Sequence, residues 1–187
     1  MQNIDNPTLI IAVVVAIIVA VGVVWLVSQR RRRTHLREKF GPEYDRTVAA
    51  VGTTGKAAAV LEQREKRVSA YHIRPLAEDE RRRFSEAWQR TQAKFVDDPA
   101  AAVTEADALV TEVMTARGYP MTEFDRRAED LTVEHASVVQ HYRAARDIVA
   151  RHVSREASTE DLRQALVHYR ALFSDLLSDR PEARRSA

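Results

Sequence analysis

Residues 8–27 read TLIIAVVVAIIVAVGVVWLV, twenty positions without a charge, and residues 28–39 that follow read SQRRRRTHLREK. A helix of twenty residues is about 30 Å long, the thickness of a bilayer's hydrocarbon core. Val and Ile are mediocre helix formers in water, but in lipid the backbone must satisfy its own N–H and C=O groups, so the segment is expected to be a transmembrane helix. Trp25 stands near one end, where indole rings favour the headgroup layer.

A cleaved signal peptide is the competing reading of an N-terminal apolar run. It calls for a basic start, a shorter apolar stretch and a small-residue cleavage site. Here residues 1–7, MQNIDNP, hold an acid and no base, the apolar run is long, and Ser28-Gln29 leads straight into four arginines. The anchor reading is preferred. Lys and Arg beside a span stay on the cytoplasmic side. All of them here follow it, so residues 1–7 are expected as a short extracytoplasmic N-terminus of a plasma-membrane protein, residues 28–41 as a basic juxtamembrane segment, and the rest as cytoplasmic.

The net charge of +2 hides an asymmetry. Arg30, Arg31, Arg32, Arg33, Arg37 and Lys39 crowd into ten positions with one acid, Glu38, whereas Phe40 onward carries 23 bases and 25 acids. A nucleic-acid-binding domain would hold its basic excess on the folded part, so nucleic acid is not an expected partner. The six bases have two readings: setting topology, which needs only a few charges, and binding anionic lipid headgroups, where each base near the surface contributes about 1 kcal/mol. Topology is the simpler.

Beyond the anchor, few Gly and Pro, abundant Ala and no strand-like alternation favour an all-α fold. The transmembrane helix is expected to continue through residues 30–40 until Gly41-Pro42 interrupts it. Residues 42–75 read as a helical stalk and connector: Glu43 to Val51, a turn at Gly52–Gly55, then Lys56 to Ala70 with a thin apolar stripe of Val60, Leu61 and Val68. Residues 76–179 read as a cytoplasmic bundle of about five amphipathic helices. The first carries Phe84, Trp88 and Phe95, from Glu78 to Asp97; the second opens at Asp98-Pro99 and stops at Gly118. A short helix starts at Thr122 with Asp125 three residues on, a fourth spans about residues 135–154, and the last is capped by Ser158 with Asp161 and runs Leu162, Leu166, Tyr169, Phe173, Leu177. Residues 180–187 form a short polar tail.

No chemistry-bearing motif survives a residue-by-residue test. Val51–Ala57 has a Gly-Thr-Thr-Gly-Lys run, but a phosphate-binding loop needs Gly where Ala50 stands and Ser or Thr where Ala57 stands, after a buried strand. His141 and His152 could share a helix face, yet no third ligand completes a metal set, and Glu134-His135 lacks the second histidine of a metalloprotease helix. Glu78–Arg83 is a solvated helix start, with acids first and bases after. Neither metal nor cofactor is expected.

The stretches LREKFGPEYDRTV (36–48), HIRPL (72–76), FVDDP (95–99), ADALV (106–110) and RGYP (117–120) resemble a family of uncharacterised actinobacterial membrane proteins. The resemblance covers nearly the whole chain and implies a single-pass membrane protein; it brings no activity, cofactor or partner.

The expected role is a membrane-tethered interaction module, an adaptor or scaffold docking an unidentified protein partner beside the bilayer, not an enzyme. Tyr71, Trp88 and Tyr119 are the contact candidates, since aromatics are enriched at hot spots, although Trp88 also falls within an apolar stripe that suits core packing. Two alternatives stay open. One is a self-assembling structural membrane protein, a homo-oligomer whose anchors approach through Ala16, Ala20 and Gly22. The other is an enzyme whose residues are scattered over helices and leave no motif.

Overall fold

The computed structural model describes residues 7–121, 123–153 and 157–178, with side chains from residue 11. Eight helices are formed among them: α1 (Pro7–Phe40), α2 (Pro42–Val51), α3 (Thr54–Val68), α4 (Glu78–Lys94), α5 (Pro99–Arg117), α6 (Phe124–Leu131), α7 (Ala136–Val153) and α8 (Thr159–Leu177). The described residues contain no strand. The expected N-terminal segment up to Asn6, the Thr122 helix start and the 180–187 tail lie outside them.

α1 is a single uninterrupted helix of 34 residues, about 51 Å long at 1.5 Å per residue. It is the one helix among the described residues long and apolar enough to cross a membrane; its most apolar stretch has a mean hydropathy of 3.0, and none of it is buried. Its last two turns behave differently, with Leu36 and Phe40 fully enclosed by the rest of the protein. Gly41 ends the helix in the left-handed region (φ 48°), where a side chain would be strained, and Pro42 opens α2 at a position whose missing N–H costs nothing.

α2 and α3 form a helical hairpin. Gly52 (φ 83°) closes α2 by donating its N–H to the Val48 carbonyl, and the Thr53 hydroxyl caps α3 by accepting the Lys56 N–H. The stretch expected to be a stalk therefore lies folded along the end of α1. The thin stripe of α3 is sufficient because its seam is filled from several sides: Ala58, Leu61 and Val68 pack with Leu36, Phe40, Tyr44 and Val133 in one apolar cluster.

The larger cluster is built by α4 to α8. Phe84 and Trp88 of α4, Val110 and Met114 of α5, Leu131 of α6, Tyr142 of α7, and Tyr169 and Phe173 of α8 meet there. Local chemistry sets the boundaries. The Asp98 carboxylate accepts the Ala101 N–H at 2.9 Å, and Pro99 follows at the first helical position. Gly118 ends α5 at φ 93°, tight against the backbone carbonyl of His72. Ser158 and Asp161 make a reciprocal capping box.

Candidate functional site

The six juxtamembrane bases split by helix face. Leu36 and Phe40 look into the domain, and Arg32 and Lys39 flank them on the same side. Arg32 pairs with Glu62 of α3, and the Lys39 Nζ lies 2.5 Å from the Glu65 carboxylate. Arg37 reaches Asp45 of α2 at 3.3 Å. These three bases tie α1 to the hairpin. Arg30, Arg31 and Arg33 are exposed, and none has an ion pair among the described residues. They stand within about two turns of Val27, the end of the uncharged stretch.

Below this layer lies a chain of ion pairs. Glu43, 2% exposed, accepts hydrogen bonds from Arg143 Nη1 at 2.6 Å, Arg143 Nη2 at 3.0 Å and Arg64 Nη1 at 3.0 Å. Arg64 also reaches Glu129, and Arg67 pairs with Asp130 at 2.6 Å, whose other oxygen accepts the Tyr71 hydroxyl at 3.0 Å. Burial by itself would raise the Glu43 carboxyl, but the hydrogen bonds and charges of Arg143 and Arg64 outweigh it and hold the group below its ordinary value. Burial and the bond to Asp130 together push the Tyr71 phenol up. The lattice joins α2, α3, α6 and α7 and matches its buried acids to guanidinium groups. Sequence reasoning missed it, because Glu43 and Arg143 are 100 positions apart and pair only through the fold.

The histidines occupy two places. Buried His135 places Nδ1 against the Asp175 carboxylate, while its Nε2 has no hydrogen-bond partner and lies 3.9 Å from Glu134. His141 meets His168 of α8 with their Nδ1 atoms 2.9 Å apart, so at most one of the two nitrogens carries the shared proton. Burial, and then the proximity of His141, hold His168 below the ordinary 6.5. No group of three or more His, Cys, Asp or Glu is placed to hold a metal among the described residues.

The three aromatic contact candidates are engaged inside the fold. Trp88 is 6% exposed and stacks on Phe173 at 4.6 Å. Tyr119, 3% exposed, donates its hydroxyl to Glu134 at 2.9 Å. Tyr71 is half-buried on the lattice. The apolar stripe that carries Trp88 is the core face of α4, where the ring is buried against Phe173.

The surroundings thus define one layer of distinctive chemistry, unpaired arginines at the end of a bare apolar helix, above a closed lattice of ion pairs. No protein-family model, curated protein or solved structure matches the chain.

Proposed function

We propose that the chain is a single-pass membrane protein whose helical domain is a protein-interaction module held in fixed orientation at the cytoplasmic face of the bilayer. One observation carries this reading: the same uninterrupted helix is bare over its apolar half and locked into the domain at Leu36 and Phe40. A surface of Val, Ile and Leu that size has its lowest free energy in hydrocarbon. The helix that enters lipid is also a wall of the folded domain, so it fixes the domain's height and rotation instead of letting it swing on a flexible linker. Confining a domain to the membrane raises its effective concentration toward other membrane-bound proteins, and a fixed orientation selects which of its faces they meet. Arg30, Arg31 and Arg33 oppose passage across the bilayer and set the orientation. The same placement accommodates the actinobacterial membrane family that the sequence motifs resemble.

The test is photocrosslinking in living cells from exposed positions of α4, α5 and α8, combined with alkaline carbonate extraction. The module reading expects the full-length chain in the extracted membranes and discrete protein adducts from one face. Adducts only to the chain itself would instead favour the self-assembling alternative, and release by carbonate would remove the anchor.

A further inference from the structure

We propose that the tip of the α2–α3 hairpin, residues 49–56, is a second membrane contact, seated in the headgroup layer beside the exit of α1. This rests on α1 being the anchor. Moving along α1 from Arg32 to Lys39 moves along α3 from Glu62 to Glu65, so the two helices run in the same sense. Glu43, at the start of α2, meets Arg64, late in α3, so α2 runs back against them. The Gly52 turn therefore points toward the apolar half of α1.

The ion pairs also bracket its height. Arg32 lies about 7.5 Å beyond Val27 along α1, and its partner Glu62 about 12 Å beyond Thr54 along α3. Lys39 lies about 18 Å beyond Val27, and its partner Glu65 about 16.5 Å beyond Thr54. One pair sets Thr54 slightly to the lipid side of Val27, the other slightly to the aqueous side, within about 5 Å in both cases. That is the level of Trp25, Arg30, Arg31 and Arg33, where a bilayer presents its phosphates and glycerol.

The tip's composition suits that level. Residues 47–55 read TVAAVGTTG, the longest uncharged stretch after Lys39. Ala49, Ala50, Gly52, Thr53, Thr54 and Gly55 are exposed. Exposed Arg46 and Lys56 flank the stretch, and long basic side chains at such a boundary lay their stems on apolar material and their charges on phosphate. Small residues let the turn approach the surface closely, and the absence of an acid avoids repulsion from anionic lipid. Two points of contact, the α1 exit and the hairpin tip, then hold the domain against tilting.

The full-length chain contains no cysteine, so single sites can be labelled cleanly. In vesicles of phosphatidylcholine and phosphatidylglycerol, an environment-sensitive fluorophore is placed at Val19→Cys in the apolar half, at Thr54→Cys on the tip, or at Ala108→Cys on α5, which packs on α4 and α8. Depth is read by quenching from lipids spin-labelled on the headgroup or on the acyl chain. The proposal expects headgroup quenching at Thr54 at least about threefold above that at Ala108, with a blue-shifted emission, as for a group at the membrane interface. A Thr54 probe as aqueous as the Ala108 probe, with Val19 quenched from the acyl chain, overturns the tip contact and leaves the anchor standing. A Val19 probe that escapes acyl-chain quenching removes both.

Discussion

Glu43 of α2 joins three helices, because Arg64 of α3 and Arg143 of α7 converge on its two oxygens. A buried ion pair adds little over an apolar replacement, but removing one partner strands the others. Glu43→Gln leaves Arg64 and Arg143 without their shared counter-charge and should cost about 3–5 kcal/mol of unfolding free energy, read by denaturant titration of the detergent-solubilised chain. The sign with pH follows from the depressed carboxyl. The folded state favours the ionised form, so the contribution is complete above the ordinary 4.5 and fades as pH falls through the lower folded value. The acid limb of the wild-type stability curve should flatten in Glu43→Gln. His168 works at higher pH. Its folded value lies below 6.5, so the unfolded chain takes up the proton first, and stability falls as pH drops from about 6.5 toward the folded value. His168→Gln should remove that slope; an unchanged slope between pH 7 and 5 would contradict the depressed His168.

At the scale of elements, the helices whose ends are fixed by local chemistry were readable in advance. Asp98-Pro99, Gly118 and Ser158–Asp161 mark α5 and α8 because a cap involves neighbours three or four residues apart. Gly118 has a further constraint that no local pattern contains: a Cβ there would collide with the His72 carbonyl, from a connector 46 positions earlier. Gly118→Ala should therefore cost more than the roughly 1–2 kcal/mol of a left-handed backbone alone, whereas the same change at Gly52, where nothing lies near an added Cβ, should cost only that. Comparing the two melting temperatures checks it. The role of α3 was not readable. Its stripe of Val60, Leu61 and Val68 is too thin to announce burial, and the partners that complete it come from α1, α2 and the turn after α6. Trp88 shows the converse: the stripe told which face of α4 is apolar, but not whether that face meets a core or a partner, and Phe173 on α8 decides it.

For the whole molecule, the consequence of a continuous α1 is mechanical. An apolar helix and a folded domain that share one rod cannot reorient independently, and the ion pairs of Arg32, Arg37 and Lys39 brace the joint. The long apolar helix is legible from twenty uncharged residues, whereas its junction with the domain at Leu36 and Phe40 is revealed only by the fold. The most direct test of the anchor uses Ala108→Cys in intact cells and a membrane-impermeant maleimide, in a chain with no background thiol. The account predicts no labelling until the cells are permeabilised, with the N-terminus unprocessed by mass spectrometry. Labelling of Ala108→Cys in intact cells, or a mature chain that begins after Ser28, would contradict it.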